Sequence, residues 1–154
     1  MKKKIENIFL KKKILIYGLG KSGISSFRFL RNKADIYLFD DLKNTHSKQI
    51  SKLKLSKIKF DIIIISPGIN ILNCKLSKFL KLNKKKIYTD LDVFFTFFKN
   101  KSITITGTNG KSTTAKILYE VLKDQKKDVR LIGNIGNPPL NEKKISKNTI
   151  FVIE

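Results

Sequence analysis

The chain has 154 residues, 41% of them apolar, which is enough for one packed domain or two small ones. Its formal net charge is +21, yet only Arg28, Arg31 and Arg130 of its 33 basic residues are arginines, and lysines occur along nearly the whole chain. Because arginine is the residue that makes bidentate contacts to guanine and phosphate, this balance favours a solvated lysine-rich surface. We expect no nucleic-acid partner, and a basic nucleic-acid-binding protein is the weaker alternative that the charge alone supports.

The cysteine and histidine content restricts the chemistry further. The single cysteine, Cys74, excludes an internal disulfide and fits a reducing compartment. The single histidine, His46, leaves no material for a His-based metal cluster. No apolar run is long enough to span a bilayer, and the apolar patch at residues 8–10 is too short for a signal peptide. The sequence therefore predicts a cytoplasmic protein without membrane insertion.

Strand and helix signals alternate along the first half of the chain. Residues 13–18 are an apolar run that ends in glycine, which predicts a buried strand. Residues 22–31 predict a helix with Ser22 as its N-cap. Residues 35–40 predict the next strand, and a lysine-rich, helical connection leads to another strand at 61–66. Its four consecutive isoleucines are typical of a central parallel strand that is buried on both faces.

Two more helices complete this half. Residues 76–82 predict an amphipathic helix, and residues 87–88 predict a short strand. Residues 90–98 predict a helix with a core-facing stripe of apolar side chains at Leu91, Phe94, Phe95 and Phe98. The alternation predicts an α/β fold, with a Rossmann-like parallel-sheet domain at residues 1–98.

A second α/β unit is predicted from residue 99 onward. A strand is expected at residues 102–106, a helix at 111–123, and two further strands at 128–133 and 149–154. A glycine-rich loop joins the first strand to the helix. This order predicts the start of a P-loop ATPase-type α/β domain at residues 99–154.

The first phosphate-type loop is Gly18-Leu19-Gly20-Lys21-Ser22-Gly23, between a predicted strand and a predicted helix. Its glycines permit a tight turn and let a diphosphate approach the helix N-terminus, where N–H groups and the helix dipole favour anions. Asp40 ends the next strand about 20 residues further on, where its carboxylate can accept a hydrogen bond from a ribose or a base. By default the pattern predicts NAD, and a tight turn without a ligand is the alternative.

The second loop is Gly107-Thr108-Asn109-Gly110-Lys111-Ser112-Thr113. A Walker A loop would have its first glycine at position 105, which is Ile105, so this loop is two residues shorter. The chemistry of the loop is retained. Backbone N–H groups can hold a β-phosphate, Lys111 can neutralise β/γ oxygens, and the Ser112 hydroxyl can coordinate Mg²⁺. The sequence therefore predicts ATP and Mg²⁺ as cofactors.

The loop GTNGKSTT (107–114) resembles that of the Mur ligases and folylpolyglutamate synthetases, ATP-dependent amide-forming enzymes that activate a carboxylate as an acyl phosphate. Here GLGKSG (18–23) and SPGI (66–69) precede it, and GNIGNPPL (133–140) follows. That set is similar to the Mur ligases, and within them to members that add D-glutamate to UDP-N-acetylmuramoyl-L-alanine. The resemblance implies a ligase of peptidoglycan synthesis, which supports cell-wall biogenesis, cell shape and cell division.

The resemblance implies that the first domain binds the UDP part of the substrate instead of NAD. It implies that Gly20, Lys21 and Ser22 lie at the diphosphate and that Asp40 lies at the uracil or its ribose. It implies that Ser66, Pro67 and Gly68 form a second wall of the pocket, and that Asn134 reaches the muramoyl-peptide. In the second domain Lys111, Ser112 and Thr113 would hold ATP and Mg²⁺. Glu154 matches the strand-end glutamate of the family that ligates magnesium. Lys111 and Glu154 are thus the catalytic candidates, and Ser112 and Glu154 the metal ligands.

Two departures from the family pattern shape the remaining expectations. Where the family has an arginine shortly after the Asp40 position, this chain has Asp41-Leu42, so one uridine contact stays unassigned. The second metal site and the amino-acid-binding domain of the family follow the Glu154 position. We therefore interpret the chain as an N-terminal fragment that is inactive alone. We expect the full-length protein to be a monomer. The alternatives are a Mur-type ligase for another amino acid, or a non-catalytic Rossmann module that binds NAD or another nucleotide.

Overall fold

The structure is a computed structural model that describes residues 7–42 and 46–154. The chain divides into two compact units, with the division between Phe97 and Phe98. Both units are parallel sheets with helices, so the predicted α/β class is confirmed. Part of the lysine-rich connection predicted to be helical, residues 43–45, lies outside the described residues. In the described part of the chain, no helix has the length and apolar character needed to cross a bilayer.

The elements of the first unit are β1 (Lys13–Tyr17), α1 (Lys21–Leu30), β2 (Asp35–Phe39), α2 (Lys52–Ser56), β3 (Ile62–Ile65), α3 (Ser77–Leu82), a 3₁₀ turn (Lys84–Lys86), β4 (Ile87–Tyr88) and α4 (Asp90–Phe97). Its strands form a four-stranded parallel sheet in the order β2-β1-β3-β4. Ile16 of β1 is level with Leu38 of β2 and with Ile64 of β3, so all three strands end at the same edge.

The core of the first unit lies on both faces of its central strands. All four isoleucines of β3 are buried, as are Ile14 to Tyr17 of β1. Alternate residues of a strand point to opposite faces, so a strand buried throughout must be covered on both sides. The four-isoleucine run therefore behaves as predicted. It also fixes the position of Ser66, which follows β3 directly at the edge that carries the first glycine loop.

The expectation that Ser22 caps α1 is wrong. The helix begins at Lys21, and Gly20 occupies the N-cap position without a side-chain hydrogen bond. Gly20 has extended backbone angles, with φ −73° and ψ −167°, which are the angles an N-cap residue requires. Ser22 lies inside the first turn, where its carbonyl accepts a 3.0 Å hydrogen bond from Ser26 Oγ. The N-terminal N–H groups of α1 are thus not covered by a capping side chain.

The stripe predicted for α4 is only partly right. The helix ends at Phe97, so Phe98 lies outside it, while Leu91 and Phe95 are half-buried. The buried face consists of Asp90, Val93 and Phe94. The i, i+3, i+4 spacing is retained, but the buried face begins at Asp90, one residue before the predicted Leu91.

The elements of the second unit are β5 (Ser102–Thr104), α5 (Lys111–Asp124), β6 (Val129–Ile132), a 3₁₀ turn (Pro139–Asn141) and β7 (Ile150–Ile153). Its strands form a three-stranded parallel sheet in the order β5-β7-β6. β7 is central and has Phe151, Val152 and Ile153 buried. Because β7 lies between the other two strands, the residue after it, Glu154, lies between the loops that follow β5 and β6.

Helix α5 is buried along a narrow line. Ala115 is its only fully buried residue and packs with Val129 and Val152 of the sheet. Ile117 and Val121 are 59% and 47% exposed. They line a largely apolar groove of about 740 Å³ that runs along the helix from Ser112.

Candidate functional site

The loop between β1 and α1 requires glycine at two of its positions. Gly18 has φ +93°, and a Cβ atom there would lie 2.8 Å from Ser66 Cβ. A Cβ atom at Gly23 would lie 1.8 Å from the carbonyl oxygen of Gly18. At Gly20 nothing lies within 4 Å of such an atom, and the residue is exposed. The loop is therefore closed at its two ends and open in the middle, where α1 begins.

The residues around Gly20 suit an anion. The first turn of α1 contains Lys21, which is exposed, and Ser22, which is half-buried. Helix N-termini attract negative charge through their N–H groups and the helix dipole, and a lysine in the first turn adds a full positive charge. Ser66 Oγ donates a 2.8 Å hydrogen bond to the carbonyl of Gly18, which brings the predicted second wall of the pocket against this loop.

Asp40 ties the glycine loop to the segment after β2. Its Oδ2 accepts a 2.6 Å hydrogen bond from the backbone N–H of Leu19, and its Oδ1 accepts a 2.9 Å hydrogen bond from that of Leu42. The side chain predicted to meet a ribose or a base thus also has a structural role. A carboxylate oxygen can accept more than one hydrogen bond, so both roles are compatible.

The loop between β5 and α5 is open to solvent. Gly107 and Gly110 have φ +151° and +74°, where only glycine is unstrained, and nothing lies within 4 Å of a Cβ atom built at Gly110. Thr108 and Asn109 form the exposed tip. Lys111 Nζ reaches back to within 3.4 Å of the carbonyl of Thr108, a long and weak hydrogen bond. The ammonium therefore lies over the loop and can be redirected to an anion at small cost.

Glu154 lies beside this loop and has one unsatisfied oxygen. Ser112 Oγ donates a 3.1 Å hydrogen bond to Glu154 Oε1. Glu154 Oε2 is buried and has no hydrogen-bond partner among the described residues. Burial of a carboxylate oxygen without a partner is unfavourable, so such an atom indicates a missing cation or donor. Thr113, the third predicted phosphate contact, is exposed in the first turn of α5.

A magnesium ion fits this donor set. Mg²⁺ prefers oxygen ligands and is usually held by one or two carboxylates together with phosphates of a substrate. The hydroxyl of Ser112 and the carboxylate of Glu154 are ligands of this kind, and they lie next to a loop that can hold phosphates. Lys111 would act beside them as a fixed positive charge.

Asn134 lies in the second unit, whereas the other residues predicted to bind the UDP-linked substrate lie in the first. Its backbone N–H donates a 2.9 Å hydrogen bond to the carbonyl of Glu154, and its side chain is exposed. The preceding residue, Gly133, has φ +111°, and a Cβ atom there would lie 2.3 Å from the same carbonyl oxygen. The turn is thus held tightly against the end of β7.

The sequence is similar to known proteins over both units. Residues 105–153 match the Mur ligase middle domain. Over 158 aligned residues the chain is 37% identical to the UDP-N-acetylmuramoylalanine–D-glutamate ligase of Rickettsia prowazekii, which covers 96% of this chain and 35% of that protein. The chain belongs to the Mur ligase family.

Two further curated relatives are also similar over most of the chain. This Mur ligase chain is 33% identical to the protein of the same name from Caldicellulosiruptor bescii, over 93% of the chain and 35% of the relative. It is 35% identical to that of Aquifex aeolicus, over 82% of the chain and 29% of the relative. A solved pseudomurein peptide ligase type C from Methanothermus fervidus aligns with 24% identity and a TM-score of 0.42, over 93% of this chain and 33% of that one. The chain thus spans about a third of the length of the curated relatives it matches.

One contributor to the first loop region of this Mur ligase was missed in the sequence. Asp41 Oδ1 accepts a 2.8 Å hydrogen bond from the hydroxyl of Tyr17, and Oδ2 accepts a 3.2 Å hydrogen bond from the backbone N–H of Lys75. Lys75 Nζ also donates to the carbonyl of Asp41. Burial, followed by the contacts with Cys74 and Asp41, raises the pKa of Tyr17 well above its ordinary value, so the hydroxyl stays protonated and donates. Asp41 thus joins the loop after β2 to the segment before α3.

Proposed function

We propose that the full-length protein joins D-glutamate to UDP-N-acetylmuramoyl-L-alanine in an ATP-dependent step of peptidoglycan precursor synthesis. The observation that carries this proposal is the pair formed by Ser112 and Glu154 beside the short phosphate-type loop, with one buried oxygen of Glu154 that has no partner among the described residues. The similar proteins of Rickettsia prowazekii and Caldicellulosiruptor bescii are named as ligases for D-glutamate, which supports the choice of substrates.

The second unit would bind ATP and Mg²⁺. When bound, ATP supplies the phosphoryl group that activates the substrate carboxylate, and Mg²⁺ neutralises the phosphate oxygens. The chain itself contributes backbone N–H groups of the loop 107–110, the N-terminus of α5 and the ammonium of Lys111, all of which favour negative charge. Ser112 and Glu154 would hold the metal ion. These groups act by position and charge, and fixed groups of this kind stabilise a transition state without reorganising during the reaction.

The first unit would bind the UDP moiety. Gly20 leaves space for a diphosphate to approach the N-terminus of α1, and Lys21 and Ser22 stand in its first turn. Asp40 would accept a hydrogen bond from the uracil or its ribose. Residues 66–68 would form the opposite wall, which the hydrogen bond from Ser66 to the glycine loop supports.

Asn134 would contact the muramoyl-peptide part of the same substrate. Its side chain is exposed, while its backbone is held against Glu154. A residue fixed beside the metal-binding carboxylate is suited to orient the carboxylate that reacts. Orientation of the reacting groups is a large contribution to catalysis of this type.

We further propose that the enzyme is a cytoplasmic monomer whose product supports cell-wall biogenesis, cell shape and cell division. Cys74 is a free thiol, which fits a reducing compartment. The UDP-linked substrate and ATP are soluble molecules, so no step of the proposed reaction requires a membrane.

An assay of ADP release tests the proposed function directly. The complete gene product is incubated with ATP, Mg²⁺ and UDP-N-acetylmuramoyl-L-alanine, and a panel of amino acids is supplied one at a time. Of the amino acids supplied, we expect only D-glutamate to support ADP formation. A preference for another amino acid would reassign the protein within the Mur ligases. Tight binding of NADH without any ADP formation would instead favour a non-catalytic dinucleotide-binding module.

A further inference from the structure

The turn that carries Asn134 is fixed at its start by the 2.9 Å hydrogen bond from Asn134 N–H to Glu154, but its far end is held by weaker backbone contacts. The turn 133–136 follows β6, and its end returns to the same strand through Asn137. Asn137 N–H donates a 3.2 Å hydrogen bond to the carbonyl of Leu131, and its carbonyl accepts a 3.4 Å hydrogen bond from Gly133. Both distances are at the long end for backbone hydrogen bonds. Further contacts are therefore needed to fix the far end of the turn, at Asn137.

Those contacts come from a buried carboxylate. Asn137 Nδ2 donates a 3.0 Å hydrogen bond to Glu142 Oε1, just after the 3₁₀ turn. Glu142 Oε2 lies 3.4 Å from Arg130 Nε, and the Glu142 side chain is only 6% exposed. A buried carboxylate is stable only when it is paired, so Glu142 depends on Arg130. This pair connects the middle of β6 to the far end of the segment that carries Asn134.

Arg130 is itself held in place from the other side. Its Nη1 lies 2.6 Å from Asp128 Oδ1. Asp128 Oδ2 accepts hydrogen bonds of 2.5 Å from Thr149 Oγ1 and 3.2 Å from Ser146 Oγ. The bond from Thr149 is the main reason that the pKa of Asp128 lies below its ordinary value, with the charge of Arg130 acting in the same direction. Asp128 is therefore ionised and fixes the guanidinium plane.

The residue type at position 130 is informative in this chain. Only three of its 33 basic residues are arginines, and Arg130 is the one that lies in the second unit. A guanidinium presents several donors in one rigid plane and can meet two carboxylates at once, whereas an ammonium is a point charge on a flexible stem. Arg130 uses different nitrogens for Asp128 and Glu142, a geometry that lysine does not reproduce.

We propose that Arg130 and Glu142 are positioning residues that hold the turn 133–136, and with it Asn134, against Glu154. They act through Asn137, which the carboxylate of Glu142 fixes at the end of the turn. The importance of this position for catalysis rests on the proposed function, in which Asn134 contacts the substrate. The structural part of the proposal stands without it.

Hydrogen exchange in the 154-residue chain tests the structural part. Glu142→Gln keeps an acceptor for Asn137 but removes the charge that faces Arg130, and Arg130→Lys keeps the charge but removes the planar fork. We expect the amides of Asn134 and Asn137 to exchange about tenfold faster in both variants, with the amides of α5 unchanged. The matched control is Glu120→Gln, which changes a carboxylate that is 49% exposed on α5 and should leave all these rates unchanged. Unaltered exchange at Asn134 and Asn137 overturns the proposal, and so does an equal acceleration throughout α5.

Kinetics of the full-length enzyme test the consequence for catalysis. We expect Glu142→Gln to raise KM for UDP-N-acetylmuramoyl-L-alanine about fivefold, and to leave KM for ATP within about twofold, because a displaced turn affects the residue that orients one substrate. Glu154 keeps its own hydrogen bond to Ile132, so the metal-binding side should change little. If the KM for UDP-N-acetylmuramoyl-L-alanine and the KM for ATP rise equally, the proposal that Glu142 acts on catalysis through Asn134 is wrong. If the wild-type enzyme does not use D-glutamate, the proposed function fails, while the exchange rates still decide the positioning role.

Discussion

Alanine substitutions at Gly23 and Gly20 test two different reasons for glycine in the first loop. At Gly23 the reason is close packing of the backbone, and at Gly20 it is the proposed space for a diphosphate. At Gly23 the added Cβ atom would lie 1.8 Å from the carbonyl oxygen of Gly18. The closest ordinary approach of carbon to such an oxygen is about 3.3 Å, so the backbone would have to move by about 1.5 Å. At Gly20 the added atom meets nothing within 4 Å. The same substitution thus forces the backbone to move at Gly23 and is sterically free at Gly20.

The expected energies differ accordingly. Overpacking a rigid site costs about 1–3 kcal/mol, and since the atom to be displaced belongs to the backbone, we expect Gly23→Ala to lose at least about 3 kcal/mol. For a unit of this size that loss lowers Tm by about 12 °C or more. Gly20→Ala loses only the preference for glycine over alanine at an N-cap, about 1 kcal/mol. Its Cβ atom would, however, occupy the space in which we propose that a diphosphate approaches α1, so we expect it to weaken binding of the UDP-linked substrate about tenfold or more.

Thermal unfolding followed by circular dichroism, and calorimetric titration of the full-length protein with UDP-N-acetylmuramoyl-L-alanine, measure the two effects. Gly23→Ala should unfold at a much lower temperature, and Gly20→Ala should stay folded but bind weakly. A Gly23→Ala variant that melts within about 4 °C of the wild type would refute the steric argument. A Gly20→Ala variant with normal affinity would show that the diphosphate does not bind at this helix terminus.

Three further predictions concern other parts of the molecule. Lys111→Ala should abolish ADP formation by the full-length enzyme and leave affinity for the UDP-linked substrate nearly unchanged, because Lys111 is proposed to bind ATP while most proposed contacts to the UDP-linked substrate lie in the first unit. Calorimetry that finds equal losses of affinity for both ligands would contradict this assignment. Asp128→Asn should lower stability at pH 7 and flatten its acid dependence. The folded-state pKa of Asp128 lies below its ordinary value of 3.8, so its stabilising effect is present above that value and disappears as the pH falls through the folded-state pKa. Urea titrations at pH 7 and at acid pH measure this, and equal acid slopes for variant and wild type would be inconsistent with it. Tyr17→Phe should cost about 1 kcal/mol in the same titrations, because Asp41 loses one of its donors, and no change would mean that the hydroxyl is dispensable.

The glycine loops and the central strands could be predicted from the sequence because the physics that forms them is local. A run of four isoleucines has to be buried on both faces wherever it lies, and β3 is buried throughout. Glycines at positions 107 and 110 meet a demand for positive φ that few other residues satisfy. Both patterns can be read from a few consecutive residues. The ends of the helices were predicted less well, since Gly20 rather than Ser22 provides the N-cap of α1.

The residues that fix those loops could not be predicted, because each depends on a partner far away in the sequence. Tyr17 and Asp41 are separated by 24 positions, and Asp41 and Lys75 by 34. In the sequence Tyr17 is one more large residue at the end of an apolar strand, and nothing near it indicates that its hydroxyl meets a carboxylate. The composition did contain one indication of a contact between charged side chains. A chain that uses lysine almost everywhere has an arginine at position 130, where two carboxylates are met by different nitrogens of one side chain.

The two loops also differ in how completely the described residues satisfy the groups around them, and this difference bears on their roles. Around the first loop the carboxylate oxygens of Asp40 and Asp41 accept hydrogen bonds from backbone N–H groups and from Tyr17, so these acidic side chains are already engaged in holding the loop and its neighbouring segments together. Beside the second loop one oxygen of Glu154 is buried and meets no hydrogen-bond partner within residues 7–42 and 46–154. A satisfied carboxylate stabilises the protein by itself, whereas an unsatisfied buried one gains stability only when a cation or a donor arrives. The second loop is therefore the place where binding of a metal ion should stabilise the fold most.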